Sequence, residues 1–255
     1  MLLAIDIGNT HAVLGIFKGD SLEGHWRVSS EQSRTSDEYC VLIKGFLDLA
    51  GFKREDINGV IIASVVPSLT GVFADIAKVL FDVEALTVGP GIRTGMQIRC
   101  DDPREVGADR IVNAVAATSI FGGASLVVDF GTATTIDYVS DKGDFMGGAI
   151  APGIGVSMEA LFSRASKLPK VSLSKPPSAV GRNTVHAMQS GIYYGYVAMV
   201  EGLIKRLKDE AKQPLLVIAT GGAARKISTE IDLIDHVDEF LTLKGLQIIY
   251  LSNAT

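Results

Sequence analysis

The sequence predicts an α/β protein made of two similar halves, and two observations carry that prediction. Strand-like and helix-like patterns alternate along most of the chain, and the opening pattern returns near the middle. The opening segment LLAIDIGNTHAVLGI (Leu2–Ile16) aligns with SLVVDFGTATTIDYV (Ser125–Val139) and places Asp129 on Asp6. A repeat of this kind predicts two halves of like architecture facing each other across a cleft. A chance alignment of two buried strands that both end in Asp-x-Gly turns is the alternative.

The first half is expected to form a strand meander followed by alternating helices and strands. The expected strands are Leu2–Ile7, Val13–Phe17, Leu22–Val28, Val60–Val66 and Val83–Val88, and the expected helices run from Thr35 to Gly51, from Pro67 to about Leu80 and from about Arg104. Thr35 and Glu38 have capping-box spacing, and glycine at position 51 is a typical helix stop.

The second half repeats this order with a long helix added. Strands are expected around Ser125–Val139, at Asp144–Ile150 and from Leu215, a loop or flexible excursion at Ser163–Asn183, and a helix from Thr184 to about Ala211. Three glycines, Gly191, Gly195 and Gly202, lie on one face of that helix, where each costs about 1 kcal/mol relative to alanine. Close packing against another helix would explain them, either within the chain or at a subunit interface.

Composition narrows the possible partners of the chain. The net charge is −5 and the lysines and arginines are scattered singly, which disfavours nucleic acid as the main partner. The two cysteines form no metal-like spacing, and no apolar run is long enough to cross a membrane. Only four apolar residues precede Asp6 after the first methionine, too few for a secretory signal. A cytoplasmic protein is therefore expected.

Two glycine-containing turns suit the binding of phosphate groups. In DIGNT and DFGTATT, glycine lets backbone N–H groups approach phosphate oxygens, and adjacent asparagine and threonine side chains add hydrogen bonds. An aspartate in such a turn can hold Mg²⁺, directly or through its waters. The chain has neither a Walker loop nor a dinucleotide-binding glycine motif. The later segment ATGGAA (Ala219–Ala224) suits an adenosine or, equally well, an ordinary strand-to-helix turn.

The segment EVGADR contains the other concentration of polar groups. Asp109 and Arg110 are expected inside an otherwise apolar helix. A structural ion pair or a solvated face would account for them. The functional interpretation is a carboxylate that accepts a hydroxyl proton beside a guanidinium that grips an acidic substrate.

These signals, in this order, resemble the type III pantothenate kinases of the actin-like ATPase superfamily (acetate and sugar kinase/Hsp70/actin). The resemblance covers essentially the whole chain and includes DIGNT, GPGIRTGM, PREVGADRIVNA, VVDFGTATT, GGAIAPG and NTVHAMQSGIYYG. It implies a duplicated actin-like (ribonuclease H-like) α/β fold. The first half, residues 1–117, would hold the first phosphate motif and the pantothenate region, and residues 118–255 the second phosphate motif, the adenosine region and the dimer helix.

The resemblance also implies a role for each matching residue. ATP would be bound by Asp6, Ile7, Gly8, Asn9, Thr10, His11, Ala12, Val13 and Thr132, and the substrate by Cys100, Gly107, Ala108, Asp109, Arg110 and Thr184. Asp109 would be the catalytic proton acceptor, Asp129 would bind K⁺ or NH₄⁺, and Asp6 would organise Mg²⁺. Thr184 would reach pantothenate, in family members often from the neighbouring subunit of a homodimer.

The implied activity is the ATP-dependent phosphorylation of pantothenate to 4′-phosphopantothenate, the first step of coenzyme A biosynthesis. Another small-molecule kinase of the same fold, or a non-catalytic transcriptional accessory factor, are the alternatives. The chain departs from the family pattern at Cys100, where an aromatic residue is common, and at His11, often an asparagine. The substitution at Cys100 puts that substrate contact in question. No catalytic role is assigned to His11.

Overall fold

The computed structural model describes residues 1–164 and 168–254, which form two compact units. The first unit contains residues 1–121 together with 240–254, and the second contains residues 122–164 and 168–239. The sequence motifs predict a boundary between residues 117 and 118, with the whole C-terminal segment in the second half. The C-terminal helix instead packs in the first unit.

The first unit is a five-stranded sheet with helices on both faces. Its strands are β1 (Leu2–Ile7), β2 (His11–Lys18), β3 (Ser21–Ser29), β4 (Gly59–Ser64) and β5 (Leu86–Thr87), in the order β3-β2-β1-β4-β5. Helices α1 (Ser36–Ala50) and α2 (Pro67–Phe81) cover one face, and α3 (Ala108–Phe121) and α7 (Leu241–Asn253) cover the other.

The second unit repeats that sheet. Its strands are β6 (Ser125–Phe130), β7 (Ala133–Val139), β8 (Phe145–Pro152), β9 (Leu216–Thr220) and β10 (His236–Val237), in the order β8-β7-β6-β9-β10. Its helices are α4 (Ile154–Arg164), α5 (Thr184–Ala211) and the short α6 (Ala224–Ile227), and residues of all three pack in one apolar core against the sheet.

Strand register confirms the predicted repeat at the level of single residues. Asp6 on β1 lies opposite Val13 on antiparallel β2 and Ala63 on parallel β4. Asp129 on β6 lies opposite Thr135 on antiparallel β7 and Thr220 on parallel β9. The predicted alignment of the two aspartates is therefore a true structural equivalence, and the duplicated α/β fold is confirmed.

Local signals placed α1 correctly. Thr35 accepts a hydrogen bond from the Glu38 N–H at 3.3 Å, and the Glu38 carboxylate accepts one from the Thr35 N–H at 2.8 Å. These two bonds form the predicted capping box. Gly51 ends the helix in the left-handed conformation that glycine adopts without steric cost.

Helix α3 begins later than predicted. Pro103–Glu105 form a short 3₁₀ turn, and Val106 then takes an extended conformation with ψ 120°. The helix starts at Ala108, so that Asp109 and Arg110 lie in its first turn rather than inside it. The strand expected at Val83–Val88 is also shorter, with only Leu86 and Thr87 paired to β4.

The expected loop at Ser163–Asn183 lies partly outside the described residues, at positions 165–167. Positions 163 and 164 end α4, and the described residues 168–183 form neither helix nor strand. Hydrogen bonds from Gln189 and Ser190 on α5, and an ion pair between Lys175 and Glu230 at 2.8 Å, fasten this segment to its unit.

The glycine face of α5 is open within the chain. A Cβ added at Gly191, Gly195 or Gly202 would meet no atom within 4 Å. Packing inside the chain therefore does not explain these glycines. In the part of the chain that is described, no helix combines the length and apolar character needed to cross a membrane.

Candidate functional site

The first phosphate motif is a tight turn between β1 and β2. Its Gly8 N–H donates to the His11 carbonyl oxygen at 3.0 Å. Ile7 and Ala12 are fully buried, so their side chains serve the core and only their backbone is available to a ligand. The residues with exposed side chains are Asn9, Thr10 and His11. The turn thus presents backbone and small polar groups outward.

The second motif forms an equivalent turn that is one residue shorter. Gly131 donates to the Ala133 carbonyl at 3.1 Å, as Gly8 does to His11 in the first turn. Thr132 is exposed at the tip, and its carbonyl accepts a hydrogen bond from Gly153 at 3.0 Å. The turn is therefore held by the segment that follows β8, while the Thr132 side chain stays accessible.

Two buried hydroxyl groups flank Asp129. Thr135 and Thr220 are its cross-strand neighbours on either side, so the three side chains share one face of the sheet. Among the described residues, neither threonine Oγ1 has a hydrogen-bond partner, although both atoms are buried. Buried polar atoms normally have partners, and a bound ion is one way of supplying them. Carboxylate and hydroxyl oxygens are suitable ligands for an alkali cation.

The glycine that follows Thr220 is required by geometry. Gly221 has φ +94°, in the left-handed region, and a Cβ there would collide with the Asp129 Oδ1 atom. The strand-to-helix turn therefore accounts for this glycine of ATGGAA without a ligand, and the adenosine role stays a prediction.

Asp109 lies at the start of α3, and its carboxylate lies against the backbone of the first helical turn. Its Oδ1 accepts a hydrogen bond from the Arg110 N–H at 2.8 Å. A Cβ at Gly107 would lie 2.6 Å from the same oxygen, so only glycine leaves room for the carboxylate in this position. Burial raises the pKa of Asp109, and the Arg110 N–H and guanidinium oppose that rise. A carboxylate with a raised pKa is a stronger base than an ordinary aspartate.

Val65 links the Asp109 segment to the first phosphate turn within the first unit. Its N–H donates to the Ile7 carbonyl at 3.0 Å, at the end of β1. Its Cγ1 lies 3.5 Å from where a Gly107 Cβ would be. Val65 therefore connects the end of β1, just before the first phosphate turn, to the Gly107 segment that leads into Asp109.

Cys100 and Thr184 are the two remaining predicted substrate contacts. Cys100 is half-buried in the loop before α3, and Thr184 is the exposed first residue of α5. Asn183 caps that helix by accepting a hydrogen bond from the His186 N–H at 2.8 Å. Among the described residues of each unit, no hydrogen bond connects Cys100 to Asp109 or to the first turn, and none connects Thr184 to the second turn.

Several side chains at these turns were not predicted from the sequence. Ser30 and Tyr196 contact the first and the second motif through their hydroxyl groups, and Thr135 and Thr220 lie beside Asp129. Thr135 and Thr220 belong to the segments DFGTATT and ATGGAA. Their position beside Asp129 could therefore have been predicted from the sequence. Nothing in the local sequence marks Ser30 or Tyr196.

Comparison with known proteins gives a consistent family assignment. The type III pantothenate kinase profile matches residues 2–206. A type III pantothenate kinase from Geotalea daltonii is 54% identical over 253 residues, which is 99% of each chain.

Two solved structures share the fold at low sequence identity. One is component A of (R)-2-hydroxyglutaryl-CoA dehydratase from Acidaminococcus fermentans, with a TM-score of 0.60 and 16% identity over 100% of this chain and 99% of that one. The other is the inorganic polyphosphate/ATP-glucomannokinase from Arthrobacter sp. strain KM, with a TM-score of 0.51 and 13% identity over 98% of each chain. They support the duplicated actin-like architecture alone. The profile match and the Geotalea relative go further, and this chain belongs to the type III pantothenate kinase family.

Proposed function

We propose that this protein transfers the γ-phosphoryl group of ATP to the primary hydroxyl of pantothenate and forms 4′-phosphopantothenate. Membership of the type III pantothenate kinase family supports this reaction, which begins coenzyme A biosynthesis. The observation in the molecule that carries the proposal is the Asp109 carboxylate, which is held at the start of α3 with a raised pKa, in the segment that Val65 joins to the end of β1. An ATP-dependent kinase also works with a divalent metal.

On the acceptor side, Asp109 is the general base. It takes the hydroxyl proton as the pantothenate oxygen attacks the γ-phosphorus. Arg110, the third residue of α3, pairs with the pantothenate carboxylate, for which a guanidinium supplies matched donors. Gly107 and Ala108 complete the pocket wall, and Cys100 offers a smaller surface than an aromatic ring there.

On the ATP side, residues 6–13 and Thr132 hold the phosphates. The exposed turn of the first motif supplies backbone N–H groups and the Asn9 and Thr10 side chains, and Thr132 supplies a hydroxyl. Fixed donors of this kind stabilise charge that spreads over the phosphoryl oxygens during transfer. Asp6 is the carboxylate available to Mg²⁺, which neutralises phosphate charge when bound.

Asp129 is the proposed site of a monovalent cation, K⁺ or NH₄⁺. The two buried hydroxyl oxygens of Thr135 and Thr220 fit that role, because a cation would satisfy both. When bound, the cation supplies positive charge near the second phosphate turn.

The active form is proposed to be a homodimer in the cytoplasm, with Thr184 contacting pantothenate. The open glycine face of α5 supports a close helix contact between subunits. Exposed apolar side chains of the same unit add to it: Met146, Ile150, Val156, Leu161 and Val185. The acidic net charge of −5 agrees with small-molecule substrates rather than nucleic acid.

A coupled assay of ADP release tests the reaction. Turnover is expected only with both ATP and pantothenate, and it should fall when K⁺ is replaced by a bulky organic cation. Pantothenate is compared with other hydroxylated acids and with sugars. Turnover with one of those instead would favour another kinase of the same fold, and no turnover with any would favour a non-catalytic role.

Asp109→Asn tests the base directly. Loss of a general base costs about 10²- to 10⁴-fold, so kcat should fall by at least about 100-fold while ATP still binds. Near-normal turnover in a folded Asp109→Asn protein would eliminate the proposed base.

A further inference from the structure

Ser30 fastens the first phosphate turn from outside the motif. Its hydroxyl donates to the Gly8 carbonyl oxygen at 2.6 Å, and its backbone N–H donates to the Thr10 carbonyl at 3.0 Å. One residue therefore engages carbonyl groups at both ends of the turn. We propose that Ser30 is a positioning residue that sets the conformation of this turn before ATP binds. The inference rests on the proposed binding of ATP phosphates by residues 6–13.

The segment around Ser30 is itself held by the core. The Glu31 N–H donates to the Tyr39 hydroxyl oxygen at 2.9 Å, and the Tyr39 O–H lies 3.2 Å from both the Ser29 and the Glu31 carbonyl oxygens. Tyr39 is fully buried on α1 and packs against Phe73 with ring centroids 4.8 Å apart. The buried tyrosine thus bonds both residues that flank Ser30, and Ser30 bonds the solvent-facing turn.

The pattern of bonds determines what the turn can offer to a ligand. Ser30 occupies the Gly8 and Thr10 carbonyl oxygens, and the Gly8 N–H is used by His11. Within residues 1–164 and 168–254, no acceptor takes the N–H of Asn9 at the exposed tip. A donor fixed in place needs no reordering when an anion arrives, and binding is tighter for that reason.

Loss of the Ser30 hydroxyl should weaken the binding of ATP rather than slow the chemical step. Without the Ser30 hydroxyl the turn can leave its binding conformation. Part of the binding free energy of ATP is then used to restore that conformation, so ATP binds less tightly. One ordinary hydrogen bond corresponds to about a five- to tenfold change in an equilibrium constant. KM for ATP should rise by about that factor, while KM for pantothenate and saturated kcat change less than about twofold.

The experiment compares five variants by steady-state kinetics and thermal unfolding. Ser30→Ala removes the hydroxyl, and Ser30→Thr restores it and should return KM for ATP to within about twofold of the parent value. Ser30→Cys keeps the size but is a weak donor, so it should resemble Ser30→Ala. Ser29→Ala is the matched control, because that neighbouring serine side chain is exposed and has no hydrogen bond in the described residues.

Asn9→Ala separates failure of this inference from failure of the proposed ATP site. If Asn9→Ala raises KM for ATP and Ser30→Ala does not, Ser30 has no positioning role. If neither variant changes KM for ATP, residues 6–13 do not bind the phosphates and the inference fails with them. An equal effect of Ser30→Ala on both substrates, or no rescue by threonine, also overturns it.

Discussion

At the scale of single residues, Asp109 is held in a position that opposes its own ionisation. Burial raises its pKa above the ordinary aspartate value, so the folded state binds the proton more tightly than the unfolded chain does. The ionised carboxylate therefore lowers the stability of the folded state at pH values above its folded pKa. That cost disappears as pH falls below the folded pKa. The burial that makes Asp109 a stronger base therefore also lowers the free energy of unfolding.

The first prediction follows from that sign. Asp109→Asn should unfold at a temperature equal to or above that of the parent protein at pH 8, although it has lost turnover. The difference in Tm should shrink as pH falls through the folded pKa, because the parent carboxyl becomes protonated. Thermal unfolding of both proteins between about pH 3 and about pH 8, a range that extends below the ordinary aspartate pKa of about 4, measures it. A clearly lower Tm of the variant at pH 8 would contradict this account.

Gly107 gives a second prediction at the residue scale. In Gly107→Ala the new Cβ would lie 2.6 Å from Asp109 Oδ1, so the carboxylate must move away. A displaced base should lower kcat by about tenfold or more, because small misplacements of reacting groups are costly. KM for ATP should change little. Gly45→Ala, in an open position on α1, is the control and should keep full activity and add about 0.5–1 kcal/mol of stability. Equal kcat in the two variants would refute the packing argument.

At the scale of elements, Tyr196 joins α5 to the second phosphate turn. Its hydroxyl lies 2.6 Å from the Thr134 Oγ1, and its ring packs against Phe130. Burial raises the pKa of Tyr196, so the phenol stays protonated. Three elements, α5, β6 and β7, therefore meet at one buried tyrosine.

Tyr196→Phe should accordingly destabilise the protein. The fully buried Thr134 hydroxyl loses its partner, which costs about 1–3 kcal/mol in the free energy of unfolding. Urea denaturation measures it. Tyr194→Phe is the control and should stay within about 0.5 kcal/mol, because the Tyr194 hydroxyl has no hydrogen bond among the described residues. Equal stability of the Tyr196→Phe and parent proteins would contradict the three-way junction.

The elements also differ in how far the sequence could predict them. Helix α1 and both repeated strand–turn–strand segments were recognisable, because capping residues and alternating apolar residues act locally. The start of α3 was predicted too early, because the extended conformation of Val106 interrupts a continuous helical pattern. The contact of Ser30 with Gly8 joins residues 22 positions apart and leaves no local signal.

The C-terminal helix shows the same limit of local information. Its position in the chain suggested the second half, but α7 packs against α3 in the first unit. Gly245 allows a close approach to the Val112 carbonyl, and Thr242 donates to the Asn113 side chain at 2.7 Å. Tertiary packing of this kind is decided by shape, which a linear pattern does not contain.

At the scale of the whole molecule, the two units share one sheet topology and differ in how each phosphate turn is secured. The first turn is tied by Ser30, whose two neighbours bond to a core tyrosine, and the second by Gly153, while Tyr196 bonds a threonine of the following strand β7. Only the second unit places hydroxyl groups on both strands beside the equivalent aspartate, since Asp6 has Val13 and Ala63 there. This difference supports a cation at Asp129 and a separate role for Asp6.

The proposed homodimer can be tested at that same scale through Gly195. Lysine favours a helix more than glycine by roughly 0.5–0.8 kcal/mol, and the position is open, so Gly195→Lys should stabilise the isolated chain. A long charged side chain would nevertheless block close approach of a second helix. The parent protein should have the mass of a dimer in light scattering, and Gly195→Lys that of a monomer with an intact fold. Gly71→Lys, equally open but on α2 in the other unit, should remain dimeric. If Gly195→Lys also stays a dimer, the glycine face of α5 is not the subunit interface.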